Sequence, residues 1–311
     1  MTELAVWEAL ATALEAGREV ALAVVVGSRG SSPGHAGALM AVGTDGLLAG
    51  TVGGGVAEAG VLARLVEGLR AGDLAPGEVQ LTHRPGVETA SGLICGGEQW
   101  VAWAPLEPAR LEEVRAVVAA VAEGQRIGWT IGPAGWALGG PAGWAVSEPD
   151  GEAAPSSHAM ASGPSHEVWV IGGGHVGLAL TRVLATLDFW VVAAEERPGV
   201  AQFEENPWPH RRVTMPFAEL GRVVPPGEAT FAVVVTAGAE SDAVALDALW
   251  DTPLGYLGVM GSRAKLARVL AGRGERPAWL HAPMGIPIGS HTPAEIAVSV
   301  AAELVAVRNG V

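Results

Sequence analysis

The 311-residue chain is poor in the residues that staple, coordinate or bridge. It has one cysteine, Cys95, one tyrosine, Tyr256, and one lysine, Lys265; the other 18 of its 19 basic residues are arginines (19 − 1 = 18). A single thiol cannot close an internal disulfide, and there is no cysteine pair at zinc-ligand spacing. The eight histidines are scattered, with no pair at helical ligand spacing, so no dedicated metal site is expected. Basic residues are outnumbered by 33 acids, for a net charge of −14. That balance excludes the basic face that nucleic acid demands and disfavours an anionic membrane surface. No run approaches the roughly 18 apolar residues of a membrane span. The opening "MTELAVWEALATALEAG" lacks a basic start and a small-residue cleavage site, so it reads as a helix and not as a signal peptide. One thiol and no address signal make the cytoplasm the expected compartment.

What is present is apolar substance, 49% of the residues, enough for two domains with sizeable cores. Residues 139 to 166 are rich in Gly, Pro, Ala and Ser without periodicity, and are expected to form an interdomain linker. The division expected is an N-terminal α+β domain over 1–138, the linker over 139–166, and a C-terminal domain over 167–311. In the last of these, the runs "EVWVI", "FWVVAA", "FAVVVT" and "YLGVM" alternate with helical or loop segments. This predicts an α/β fold, a Rossmann-like parallel sheet with helices on both faces. A first helix is expected over about 175–187. A last helix should be capped by Thr292, with Pro293 at its first position and Glu295 closing a capping box.

The stretch "VWVIGGGHVGLAL" sets Gly172, Gly174 and Gly177 in the G-x-G-x-x-G spacing, after a strand and at the start of a helix. The first glycine permits the tight turn, the second lets backbone approach a pyrophosphate, and the third lets helix and sheet pack closely. Glu195, 18 residues after Gly177, ends the next strand, where an acid would receive a ribose hydroxyl. The alternative is a fold that uses these glycines for packing alone. His175 is as readily a solvated loop residue as a ligand contact.

Three further stretches are candidates. In "GVMGSRAKL", Ser262 is an N-cap, and Arg263 with Lys265 makes an anion site at the carboxyl edge of the sheet. In "GTVGGGVAEAG", Gly54 and Gly55 run into a helix carrying Glu58; they expose amides to a ligand or simply form tight turns. In "LICGGE", Cys95 is uncrowded by neighbours, although most free cysteines are buried and inert.

These pieces, in this order, resemble the xanthine dehydrogenase accessory family, XdhC/CoxI. "GSSPGHAGALMAV", "GTVGGGVAE" and "LICGG" are similar to its N-terminal block. "IGGGHVG", "VVVTAGAESD", "GYLGVMGSRAKL" and "PMGIPIGSHTPAEIAVSVAAEL" are similar to its C-terminal Rossmann block. The resemblance implies a protein that binds the molybdenum cofactor, a molybdopterin, as cargo. It implies protection of that cargo while a cysteine desulfurase supplies sulfur, then delivery to a molybdenum hydroxylase such as xanthine dehydrogenase. In that role Cys95 contacts the metal or its sulfur, Gly172, Gly174, Gly177 and Glu195 hold the nucleotide-like portion, and Arg263 and Lys265 hold a phosphate. No catalytic residue is implied. The alternative is an NAD(P)-dependent oxidoreductase, with NAD(P) or another nucleotide in the Rossmann site. Homodimerisation is left open. Three stretches depart from the family pattern. Val56-Ala57-Glu58 replaces Cys-Leu-Glu, Ser32-Pro33-Gly34 replaces Ser-Pro-Arg, and Thr236-Ala237-Gly238 replaces Thr-His-Asp.

Overall fold

The apolar run at 20–26 carries no polar residue because both of its faces are buried. It forms most of β1 (Val20–Arg29), the central strand of a five-stranded sheet. The computed structural model describes residues 3–30, 32–82, 97–139 and 157–311. The sheet also contains β2 (Leu39–Gly43), β3 (Gly46–Gly50), β4 (Gly77–Thr82) and β5 (Glu98–Leu106). Its order is β3-β2-β1-β5-β4, every pairing antiparallel. Successive side chains of a strand alternate between faces. Val20, Leu22, Val24 and Val26 therefore join the core with α1 (Glu3–Glu15), while Ala21, Ala23 and Val25 join the core with α2 (Gly55–Ala71). Helix α3 (Leu111–Ala122) adds Val114, Val117 and Val121 to the α1 side.

A second antiparallel sheet, β7-β6-β8, comprises β6 (Ile127–Gly132), β7 (Gly135–Leu138) and β8 (His158–Ser162). Ser162 is fully buried, and its Oγ accepts from the indoles of Trp7 at 3.0 Å and Trp129 at 2.9 Å. Strand β8 is thereby tied to α1 and β6. The linker expected over 139–166 is corrected accordingly: 158–162 is a strand of the first unit, and His166 already belongs to the second. The compact units are Met1–Gly163 and Pro164–Val311, and 140–156 lie outside the described residues. "HAMAS" has no β-branched residue, so its composition hides a strand that tertiary bonds hold in place.

The second unit has one parallel sheet of six strands. They are β9 (His166–Ile171), β10 (Phe189–Glu195), β11 (Arg211–Thr214), β12 (Gly227–Val234), β13 (Leu254–Val259) and β14 (Leu280–His281), in the order β11-β10-β9-β12-β13-β14. Counted within the unit this is 3-2-1-4-5-6, the doubly wound order of dinucleotide-binding folds. Helices α4 (His175–Leu184) and α9 (Pro293–Arg308) cover one face through Leu180, Leu184, Val300 and Leu304. The short α5 (Ala201–Glu204) and α6 (Leu220–Val223) come between strands, and α6 joins α7 (Ala239–Leu249) and α8 (Arg263–Val269) on the other face through Leu220, Leu246 and Leu266. The capping box expected at α9 is present: Thr292 Oγ1 accepts from Glu295 N, and the Glu295 carboxylate accepts from Thr292 N. Among the described residues, no helix is long and apolar enough to cross a membrane.

Candidate functional site

The chain leaves β9 toward β10 on one side and leaves β12 toward β13 on the other, so a crevice opens outside the carboxyl ends of β9 and β12. A cavity of about 260 Å³ lies there. It is lined by Gly172, Gly174 and His175 from the first turn, Arg197 after β10, Thr236 and Ala237 after β12, and Met260 after β13.

The three fingerprint glycines do different work. At Gly172 φ is +115°, and a Cβ would stand 2.7 Å from the Val235 carbonyl oxygen. At Gly177 a Cβ would stand 2.1 Å from the Gly172 carbonyl oxygen, so α4 could not sit this close with a side chain there. Gly174 is the exception. Its φ is −73°, ordinary for any residue, and a Cβ would meet nothing within 4 Å. Neither backbone nor packing requires a glycine at 174; its effect is to leave the turn open at the cavity. The first bond of α4 runs from Leu178 N to Gly174 O at 2.9 Å, and the amides of Gly174, His175 and Val176 have no partner among the described residues. Free amides at a helix N-terminus favour an anion. A phosphate-bearing group fits this donor set and this opening.

Glu195 requires a correction. It ends β10 where an acid was expected, but it is fully buried and its lone pairs are spent. Oε1 accepts from the Glu196 amide at 3.0 Å, the Arg197 amide at 3.1 Å and Arg197 Nε at 3.0 Å; Oε2 accepts from Gly173 N at 2.8 Å and Arg197 Nη2 at 3.0 Å. A carboxylate offers about four acceptor sites, so none is left for a ribose hydroxyl. Burial pushes its pKa up, but the Arg197 guanidinium and the amides of Gly173 and Arg197 outweigh burial and hold it below the ordinary carboxylate value. Glu195 shapes the turn, and the side chain on the cavity is Arg197.

At the β13–α8 turn, Ser262 caps the helix as expected by accepting from Lys265 N. Lys265 Nζ does not stand free. It pairs with the buried Asp242 carboxylate and donates to Met260 O at 3.3 Å, while Asp242 Oδ1 also accepts from Thr236 Oγ1. Lys265 therefore braces the cavity wall behind Thr236 and Met260, and its charge is already matched. Arg263 is exposed at the first position of α8 and does not line the cavity.

In the first unit, Gly53, Gly54 and Gly55 all have positive φ, at +127°, +74° and +73°. The Glu58 carboxylate folds back over this turn, accepting from Thr51 Oγ1 and from the amides of Val52 and Gly54, each at 2.9 Å. The Gly54 amide is thus spent on the protein itself, contrary to its expected role as a ligand donor. Gly34, where the family pattern has arginine, has no room for a side chain: a Cβ would stand 2.3 Å from Val52 O. Cys95 lies outside the described residues. Of the expected residues, the structure brings Gly172 and Gly174 to one cavity and sets Gly177, Glu195 and Lys265 as supports around it. Sequence reading missed Arg197, Thr236 and Met260, although each lies within two residues of a strand end that it had marked.

The comparisons with known proteins agree in both units. The model of the XdhC Rossmann domain matches residues 168–304, and that of the XdhC and CoxI family matches residues 13–76. The chain belongs to the XdhC/CoxI family. Among curated relatives it is 28% identical over 304 residues to the uncharacterized protein YqeB of Escherichia coli K12, covering 93% of this chain and 43% of that one. It is 30% identical over 150 residues to a probable xanthine dehydrogenase subunit of Bacillus subtilis 168, covering 48% of this chain and 44% of that one. The XdhC/CoxI chain thus spans less than half the length of these relatives. A crystal structure of a xanthine dehydrogenase from Bacillus halodurans shares the fold, with a TM-score of 0.79 and 21% identity over 100% of this chain and 96% of that one.

Proposed function

We propose that this XdhC/CoxI-family chain is an accessory factor for a xanthine-dehydrogenase-type molybdenum hydroxylase. It binds the molybdenum cofactor as cargo and assists its sulfuration by a cysteine desulfurase and its insertion into the hydroxylase. It works in the cytoplasm and turns over no free metabolite. The observation that carries this reading is the Gly174 cradle, a turn kept open where no packing or backbone demand requires it, beside amides that have no partner among the described residues. The family membership and the Bacillus subtilis relative, named for a probable xanthine dehydrogenase, support the client class. Gly172, Gly174 and Gly177 frame the seat of the phosphate-bearing portion. Arg263 is an exposed cation at the start of α8, and Cys95 and Gly55 are the cofactor-binding residues assigned to the first unit.

The test is purification from a host that makes the cofactor, with pterin and molybdenum quantified in the wild type, Cys95→Ala and Gly174→Ala. The wild type should carry pterin, and each variant should carry less. Pterin-free protein under saturating supply would overturn the proposal. A second reading, an NAD(P)-dependent oxidoreductase, draws on the 3-2-1-4-5-6 strand order. It is checked by screening for nicotinamide absorbance change with aldehydes, ketones and alcohols.

A further inference from the structure

The residue that faces the cavity after the second strand of a doubly wound sheet decides how the ribose of a bound dinucleotide is read: an acid takes its 2′-hydroxyl, an arginine its 2′-phosphate. Here the acid has been withdrawn. Glu195 is fully buried and saturated by five donated bonds, all from its own turn and the neighbouring glycine loop. Arg197 remains half exposed, its side chain at 51%, and lines the cavity shared with Gly174. A guanidinium has donors on three nitrogens. Nε and one Nη2 donor serve Glu195, whereas Nη1 has no partner among the described residues. The bidentate grip fixes the guanidinium plane, so its free edge is held in place before a ligand arrives. Of the neighbouring acids, Glu204 accepts from Gly199 N at 2.8 Å, and Glu196 accepts from Phe217 N at 3.3 Å while its charge also acts on Arg197, with no hydrogen bond between the two among the described residues.

We infer that the crevice takes a dinucleotide bearing a ribose 2′-phosphate, of the NADP type, and that Arg197 selects it over the unphosphorylated dinucleotide. The inference rests on the crevice being a phosphate-binding seat, as in the proposed function, and fills it with the dinucleotide of the second reading in place of the pterin cargo.

Calorimetric titration of the full chain with NADP⁺ and NAD⁺ tests it. NADP⁺ should bind about tenfold more tightly or better, the worth of one charge-assisted hydrogen bond, and 2′,5′-ADP should compete with it. In Arg197→Gln the ratio of the two affinities should fall toward one, and Arg197→Lys should restore part of it. The wild-type comparison needs no variant, so misfolding of Arg197→Gln cannot shelter the idea. Equal binding, tighter NAD⁺ binding, or no binding of either dinucleotide overturns it. Pterin content, measured separately, reports on the cargo reading: protein that prefers NADP⁺ yet carries no pterin sinks that reading and leaves this one standing.

Discussion

The Cβ that Gly177 lacks would stand 2.1 Å from the carbonyl oxygen of Gly172, a contact no real pair of atoms adopts. Two turns of the same fingerprint are thereby locked face to face, and the contrast with Gly174 separates folding from binding. Gly177→Ala should push α4 off the sheet and cost about 1–3 kcal/mol. In a unit of this size that lowers the melting temperature by about 5 °C. Gly174→Ala should melt like the wild type, yet its methyl group would enter the cradle and weaken NADP⁺ binding by about tenfold or more. Thermal melts and calorimetry on both variants check the pair. Unchanged binding in Gly174→Ala would show that the opening serves no ligand.

Lys265 is the second case in which a residue expected to touch ligand works for the fold. Its ammonium neutralises Asp242, a carboxylate with no exposure of its own. Lys265→Met should strand that charge and destabilise the second unit by about 3 kcal/mol, the low end for breaking a buried pair because the lysine is partly exposed. Adding Asp242→Asn should recover most of the loss. Chemical denaturation of the three variants measures it, and additive losses in the double variant would contradict the coupling.

These two results bear on how far the sequence could be read. The covered sheets, the fingerprint turn, the Ser262 cap and the Thr292–Glu295 box are local patterns, governed by periodicity, spacing and capping chemistry, and they were legible. Strand β8 was not, because its place depends on Ser162 meeting two indoles that lie far away in sequence. The inversion of roles between Glu195 and Arg197 was also hidden. Spacing says where a strand ends, but which of two neighbouring charges turns inward depends on the amides of Gly173, Glu196 and Arg197. The same holds for Glu58, whose helical position is plain in the sequence but whose return to the glycine turn is not.

Glu58 supplies a third prediction. One carboxylate gathers the Thr51 hydroxyl and the amides of Val52 and Gly54, holding a turn that three positive-φ glycines would otherwise leave loose. Glu58→Ala should cost about 2 kcal/mol. Amide hydrogen exchange should speed up at Val52 and Gly54 while the strands of the β1 sheet stay protected. Exchange that quickens uniformly across the unit would mean that Glu58 contributes to global stability without organising this turn.

The last prediction concerns acid. His210 stacks on Trp190 with ring centroids 4.3 Å apart, and its Nδ1 accepts from the Val191 amide at 3.0 Å. Burial lowers its pKa, since the charged ring loses solvation. A ring whose folded pKa lies below its unfolded value binds fewer protons in the folded state. Its contribution is therefore present above the unfolded histidine value of about 6.5 and is lost as the pH falls through the folded value. Protonation at Nδ1 would also deprive the Val191 amide of its acceptor. The melting temperature of the wild type should accordingly decline as the pH drops below about 6.5. Glu195 and Glu295, whose pKa values are also lowered, act in a separate and more acidic window, below the ordinary carboxylate value. His210→Gln keeps an acceptor for the Val191 amide but cannot titrate, so its melting curve should stay flatter between pH 7 and about 5. Parallel declines in the two proteins across that interval would assign the acid sensitivity to another group.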